Sequence, residues 1–158
     1  MHAYCLFCET QHCKQIAEIV NKEYGYQCIY PKIIQRKWIK GIPTEEIHDW
    51  LPGYLFLYSE QPLLIRLRIT GIIRCLGNGE LTGQDLEFAW MIQRRNGVMG
   101  NVSLVQEGSR CRINDPAWSE LHGEVIKMDR ERKRCCIQFE FDETKRTIWA
   151  GYEIIDTE

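Results

Sequence analysis

The chain has 158 residues, with 20 Lys and Arg against 22 Asp and Glu, which gives a formal net charge of -2 at pH 7. A chain of this length forms one ordinary domain or two small ones and needs no disulfides to bury a core. The pI of about 6.1 and the mean hydropathy of -0.35 argue against a globally basic nucleic-acid binder and against a disordered chain, so any basic site must be local.

The N-terminal sequence Met1-His2-Ala3 lacks the charged segment and apolar run of a signal peptide, and no apolar run reaches the ~20 residues of a membrane span. We therefore expect a cytoplasmic protein without membrane contact. Its eight cysteines are then expected to be free thiols or metal ligands, because disulfide frameworks belong to secreted domains.

A strand and a helix are the first predicted elements. Residues 3–8 (AYCLFC) are apolar and aromatic, which is typical of a buried strand. A helix is predicted to begin at Thr10 and to end at Gly25. One face of that helix carries Cys13, Ile16, Ala17 and Val20.

The segment CLFCETQHC holds three cysteines and a histidine within nine residues. Cys5 and Cys8 lie three apart, so in a strand they point to opposite faces and cannot share one ion. A thioredoxin-like CxxC motif needs a complete strand before it, and only four residues precede Cys5. We therefore predict core thiols, with no metal and no cofactor. The alternative, if the segment is a loop, is a zinc site of Cys5, Cys8, His12 and Cys28.

The next predicted strand covers residues 26–38, with Pro31 at an edge or a bulge. An acidic loop is predicted for residues 41–49. In WLPGYLFLY, Pro52-Gly53 predicts a turn, and the strand 54–58 is apolar on both faces, so both faces must be covered.

Helices are predicted around residues 62–69 and from Thr82 onwards, with a strand at 72–76 between them. The helix predicted after Thr82 has almost no polar face. Its apolar residues are Leu86, Phe88, Ala89, Trp90, Met91 and Ile92. In a small domain, apolar surface left over after such a helix packs on a sheet indicates a partner.

The glycine-rich segment between Arg94 and Ser109 is the best candidate for a linker. Beyond it, short strands separated by polar turns are predicted at 109–113, 124–128, 135–141 and 147–152. Their spacing predicts a small antiparallel barrel. The predicted fold class is thus α+β, with an N-terminal antiparallel sheet flanked by helices and a small β-barrel after it.

In this order the motifs resemble the NusG family of transcription elongation factors. AYCLF, PGYLF and ITGIIRCLG resemble its N-terminal (NGN) domain, and EGSRCRI, HGEVIKMD and RCCIQFEF resemble its KOW domain. KMDRERKRCC and the GYEII ending are more similar to the specialised LoaP-type paralogues. Two departures are Ala3, where many relatives have Trp, and Asn114-Asp115-Pro116, which replaces a Gly-Pro loop.

The resemblance implies an NGN-like domain at 1–100, a linker at 101–106 and an SH3-like KOW barrel at 107–158. It also implies a bacterial factor that is not an enzyme, acts as a monomer and binds RNA polymerase through an apolar surface of the first domain. The expected polymerase contacts are Tyr4, Leu51, Tyr54, Phe56 and Trp90. For each of them an ordinary core role is the alternative, and strand alternation places Tyr54 and Phe56 on one face.

Two basic segments are candidates for binding nucleic acid. Residues 127–134 carry five positive charges against two negative ones in a predicted hairpin turn, and such a turn could hold RNA phosphates. By resemblance the ligand is a nascent RNA hairpin, and the expected contacts are Arg112, Trp118, His122, Lys127, Arg130, Arg132, Lys133 and Arg134. The segment 32–40 is a candidate contact for upstream DNA, through Lys32, Arg36, Lys37 and Lys40. The alternative for 127–134 is an ordinary solvated turn, and the alternative for 32–40 is an exposed hairpin.

The resemblance therefore implies a specialised transcription antiterminator that promotes processive elongation past terminators. A general NusG-like elongation factor, whose KOW domain binds a protein, is the alternative. No nucleophile–base pair and no phosphate-binding loop in the sequence supports an enzyme. A KOW domain that switches fold is a further alternative, because residues 116–133 could pass for helix, although the residues after Cys136 favour strands.

Overall fold

The computed structural model describes residues 1–63, 67–76 and 79–155. They form a mixed α+β structure, as predicted, and strand outweighs helix in it. By their contacts they group into a first unit, Met1–Pro31 with Leu51–Gly97, and a second unit, Lys32–Trp50 with Val98–Glu158. None of the helices in the described ranges has the length and apolar composition needed to cross a membrane.

The strands, in chain order, are β1 (His2–Cys8), β2 (Gln27–Ile29), β3 (Lys32–Ile39), β4 (Ile42–Asp49), β5 (Tyr54–Ser59), β6 (Ile72–Cys75), β7 (Val98–Met99), β8 (Val102–Glu107), β9 (Arg110–Ile113), β10 (Glu124–Asp129), β11 (Arg134–Phe141) and β12 (Thr144–Ile154). The α-helices are α1 (Cys13–Ile19) and α2 (Gly83–Arg94). Helix α1 follows a 3-10 turn at Thr10–His12 and continues into a π-helical turn at Val20–Tyr24, and a further 3-10 helix covers Pro116–Leu121.

The first unit contains a four-stranded antiparallel sheet in the order β2-β5-β1-β6. Helix α1 contributes Cys13 and Ile16 to a buried cluster that also contains Leu55 and Leu57 of β5. Gly25 ends this helical segment with a φ of 72°, in the left-handed region that glycine enters without steric cost. The prediction of a strand followed by a helix that ends at Gly25 is therefore confirmed.

Strand β5 also contacts helix α2 through aromatic rings. The Phe56 and Phe88 ring centroids lie 5.6 Å apart, and those of Tyr58 and Trp90 lie 5.9 Å apart. The Tyr58 hydroxyl donates a hydrogen bond to the Ala89 carbonyl, and burial raises the pKa of this phenol. These contacts bury the aromatic side chains of β5, as expected for a strand without a polar face. The likeness of this unit to an NGN domain stays a prediction.

The second unit contains a nearly closed, barrel-like sheet in the order β10-β11-β12-β8-β9. Its pairs are antiparallel, except that β12 and β8 run parallel. On β11, Ile137, Phe139 and Phe141 are buried and alternate with the less buried Gln138 and Glu140, as predicted for a half-buried strand.

Strand β8 occupies the segment that was predicted to be a linker at 101–106. Val102, Leu104 and Val105 are buried there, and β8 pairs with β9 and β12. The neighbouring glycines are typical of a linker, so this short run of β-forming residues was not predicted to be a strand. The predicted domain limits of 1–100 and 107–158 stay a prediction.

A hairpin of β3 and β4 also belongs to the second unit, and β3 pairs in parallel with β7. The prediction of one strand over 26–38 is wrong, because the strand is interrupted at Tyr30-Pro31, between β2 and β3.

The prediction of an acidic loop at 41–49 is wrong as well. Its acidic residues form β4, where they face the basic residues of β3: Lys37 Nζ lies 2.8 Å from Glu46 Oε2, and Lys32 is paired with Asp49. Lys40 and Gly41, both with positive φ, form the two-residue turn.

Two further predictions concern the first unit. The strand at 72–76 and the helix after Thr82 are confirmed as β6 and α2, although the Thr82 side chain makes no capping hydrogen bond. The helix predicted at 62–69 includes residues 64–66, which lie outside the described residues. The described residues 62, 63 and 67–69 have no regular secondary structure.

Gly53 should be far less tolerant of substitution than Gly41. Both have positive φ, but a Cβ on Gly53 would lie 2.9 Å from the Phe7 ring and 3.1 Å from the Cys8 carbonyl oxygen, whereas a Cβ on Gly41 meets nothing within 4 Å. We expect Gly53→Ala to cost about 2–4 kcal/mol of unfolding free energy, from backbone strain plus overpacking, and Gly41→Ala about 1–2 kcal/mol, from strain alone. Urea unfolding of the two variants measures the difference, and equal losses would contradict this packing.

Candidate nucleic-acid interface

The turn between β10 and β11 is held in shape by Asp129. Its carboxylate accepts a hydrogen bond from the Arg132 backbone N–H at 3.1 Å and lies 3.5 Å from Arg134 Nε. The Arg132 backbone hydrogen bond, with the nearby Arg132 and Arg134 charges, lowers the pKa of Asp129. Asp129 is therefore ionised at neutral pH, and it orders a turn in which Lys133 has a φ of 52°.

Trp149 on β12 is contacted by both predicted basic segments. The Arg134 guanidinium carbon lies 4.9 Å from the centroid of the Trp149 ring, which is a cation–π contact. Gln35 Nε2 on β3 donates a 2.6 Å hydrogen bond to the Trp149 carbonyl. Both Trp149 and Gln35 were missed by sequence reasoning, because neither is charged and their contact joins distant parts of the chain.

The two basic segments line one groove of about 560 Å³ in the second unit. Its lining, called here the basic groove, consists of Arg36, Lys37 and Trp38 from β3 and Glu131, Arg132 and Arg134 from the turn and β11. Arg36 and Lys133 also line two adjoining grooves, one with Trp38 and one with Arg130 and Tyr152. The segments predicted to be separate RNA and DNA sites thus lie side by side.

The basic groove combines cations with an exposed aromatic ring. Trp38 is 54% exposed, and Arg36, Lys37 and Arg132 are exposed as well. Lys37 is paired with Glu46, and Arg132 and Arg134 are paired with Asp129, so an incoming phosphate would compete with these carboxylates. Cations beside an aromatic ring form the arrangement that holds the backbone and the bases of single-stranded nucleic acid.

Some of the other residues predicted to bind RNA lie away from the basic groove. Trp118 is only 1% exposed, and its ring packs 5.4 Å from that of Trp50, so its position disfavours an RNA contact. Arg112 on β9 is paired with Glu107 at 2.9 Å. His122 is exposed at the end of the 3-10 helix, and Lys127 is exposed on β10.

Of the four residues predicted to contact DNA, two line the basic groove and two do not. Arg36 and Lys37 line the basic groove. Lys32 is paired with Asp49 at the opposite end of the hairpin from its turn, and Lys40 lies in the turn itself.

Most of the residues predicted to bind polymerase are buried in the first unit. Tyr4, Leu51, Tyr54 and Phe56 are buried, and Trp90 is half-buried against Tyr58. The Tyr4 hydroxyl accepts a hydrogen bond from the Leu63 N–H, and Tyr54 packs on Phe7. These contacts fit the alternative of a core role, and binding to polymerase stays a prediction.

An apolar surface that is more accessible than these five residues lies beside β6 in the first unit. A groove of about 950 Å³ is lined there by Leu67, Ile69 and Ile72, by Ile73, which is 56% exposed, and by Arg68 among others. Part of this surface comes from the ITGIIRCLG motif. Sequence reasoning used that motif as a mark of the family and did not consider it as a contact surface.

The cysteines are all free thiols, and Cys8, Cys13 and Cys28 lie in the core cluster of the first unit. Burial, reinforced by the neighbouring thiols, raises the pKa of Cys8 and of Cys28 to about 12. Thiols with such a pKa stay protonated at neutral pH, which disfavours nucleophilic attack. Within residues 1–63, 67–76 and 79–155, no three His, Cys, Asp or Glu side chains are placed to hold a metal ion.

No protein-family model matches the chain, and no curated protein matches it.

Proposed function

We propose that this protein is a transcription antiterminator that is not an enzyme. In this proposal it binds a nascent RNA hairpin through the basic groove of its second unit and RNA polymerase through its first unit. The observation that supports RNA binding most strongly is the convergence of residues 36–38 with Glu131, Arg132 and Arg134 on one groove with an exposed tryptophan. The polymerase part rests on the resemblance of the sequence motifs to the NusG family.

The chemistry of the basic groove suits RNA because contacts with Asp129 and Trp149 position Arg132 and Arg134 before the ligand arrives. Asp129 fixes the turn, Trp149 contacts Arg134, and the β3–β4 ladder places Arg36 beside Trp38. Side chains that are already ordered lose less conformational entropy when they meet a phosphate. Since the whole chain carries a net charge of -2, this local patch must supply most of the attraction.

Binding both RNA and polymerase would explain antitermination without catalysis. A factor that holds the transcript while bound to the enzyme that makes it converts a second encounter into an intramolecular one. Such a factor would stay with the polymerase as it passes a terminator.

A general elongation factor, with a second unit that binds a protein, is the other candidate. It is favoured by the exposed apolar side chains of Ile39 and Ile42, which are paired beside the turn of the β3–β4 hairpin. Clustered apolar side chains on a surface are typical of protein contacts. The two candidates differ in whether the purified protein binds RNA by itself.

We expect the full-length protein to bind a fluorescently labelled RNA hairpin with a GC-rich stem and an adenosine loop. If about five phosphates are neutralised, log affinity should fall with log salt with a slope of about -3.5 to -4.5. Arg36→Gln should weaken binding by about tenfold, the equivalent of one charged hydrogen bond, and should make the slope shallower by about 0.7–0.9. Fluorescence anisotropy over a salt series measures both quantities.

Lys145→Gln provides the matched control, because Lys145 is an exposed cation of the same unit that does not line the basic groove. It removes the same charge from the chain as a whole. Equal losses for the two variants would show a diffuse electrostatic attraction and would contradict a site at this groove.

We expect the full-length protein to co-elute with bacterial core RNA polymerase. Trp90→Ala should weaken co-elution if α2 forms the contact, and Ile73→Asp should weaken it if the groove beside β6 does. Ile126→Asp, at an exposed position of the second unit, is the control. Thermal unfolding of each variant separates a lost contact from a lost fold. Failure of the unaltered protein to co-elute would contradict the polymerase part of the proposal.

A further inference from the structure

We infer that Trp38 stacks on an unpaired base of the bound RNA and that Glu131 accepts hydrogen bonds from the edge of that base. This inference rests on the proposed RNA-binding function and specifies its ligand. The RNA would be a hairpin that carries a bulged or looped nucleotide, rather than an uninterrupted duplex.

The position of Trp38 is the first observation. Trp38 lies opposite Pro43 near the end of the β3–β4 hairpin, next to the tight turn at Lys40-Gly41, and is 54% exposed. The ring borders both the basic groove and the adjoining groove that Lys133 lines. A large apolar ring that remains in water forgoes the free energy of burial, which a stacked base would recover.

The neighbours of Trp38 favour a nucleotide over an apolar protein side chain. Arg36 and Lys37 directly precede it in sequence, and Arg132 and Arg134 line the same groove. A nucleotide presents a flat aromatic base and an anionic phosphate together, so it matches both parts of this lining. The volume of about 560 Å³ lies within the ~300–1,000 Å³ range of sites for small organic groups, so it can admit a single nucleotide.

The base must be unpaired, because paired bases in an RNA duplex are already stacked on both faces. The deep and narrow major groove of A-form RNA also excludes most side chains from the base edges. A tryptophan on a protruding hairpin can therefore reach a base in a bulge, a loop or an end.

Glu131 is expected to make the groove prefer some unpaired bases over others. A carboxylate repels phosphate but accepts hydrogen bonds from the exocyclic amino groups of cytosine and adenine. Since Glu131 shares the groove with the four cations, the base edge is expected at Glu131 and the phosphates at the Arg side chains. An adenosine should therefore bind better than a uridine, which has no exocyclic amino group.

The test compares a blunt RNA duplex with the same duplex carrying one bulged adenosine or one bulged uridine, each titrated with the full-length protein at one salt concentration. We expect the adenosine bulge to bind about 5- to 150-fold more tightly than the blunt duplex, which is the range that one stacked base supplies. Trp38→Ala should abolish this difference, and Trp38→Phe should retain most of it. Glu131→Ala, which removes the hydrogen-bond acceptor altogether, should reduce the preference for adenosine over uridine. Ile39→Ala, at the neighbouring exposed apolar position, should change nothing.

The outcomes separate this inference from the function on which it rests. If blunt and bulged RNA bind equally and Trp38→Ala changes neither, while Arg36→Gln weakens both, the inference is wrong and RNA binding stands. If none of the RNAs binds, the proposed function fails as well. Equal binding of a DNA duplex with one bulged dA would overturn RNA as the specific ligand. A bulged 2-aminopurine whose fluorescence changes with the wild-type protein, but not with Trp38→Ala, would directly support the stacking.

Discussion

Trp149 is the residue on which the arrangement of the basic groove depends. Its carbonyl accepts the hydrogen bond of Gln35 from β3, and its ring lies against the guanidinium of Arg134 from β11. The chain is thereby able to place two basic segments, remote in sequence, at one site of the second unit. These two contacts join the charged strand β3 and the charged turn at a common surface.

Like charges gathered in this way repel one another, and the surrounding carboxylates offset that repulsion. Asp129 pairs with the turn, and Glu46 pairs with Lys37, so each cluster of cations has its own counter-charge. The Lys37 hydrogen bond lowers the pKa of Glu46, and the turn lowers that of Asp129, so both carboxylates stay ionised at neutral pH. Exposed pairs of this kind contribute little to stability. Their main effect is to orient the cationic side chains that line the groove.

Much of the fold could be predicted from the sequence, because local patterns determine it. The alternation in β11, the apolar run of β5 and the apolar face of α1 each predicted their element. Strand β4 was missed because its acidic residues are stabilised as a strand only by pairing with the basic strand β3. Strand β8 was missed because its short run of β-forming residues lies between glycines. The individual cations of the site were predicted, but their convergence was not. That convergence depends on non-local pairing, which a pattern along one chain does not contain.

The central claim is that residues of β3 and of the β10–β11 turn hold the same RNA molecule, and crosslinking tests it most directly. A hairpin RNA containing 4-thiouridine in its loop would be irradiated in complex with the full-length protein, and the crosslinked peptides would be identified by mass spectrometry. The account predicts crosslinks in both segments, 32–40 and 130–134, and their joint loss in Arg36→Gln. Crosslinks confined to one segment, or found only elsewhere on the chain, would contradict it.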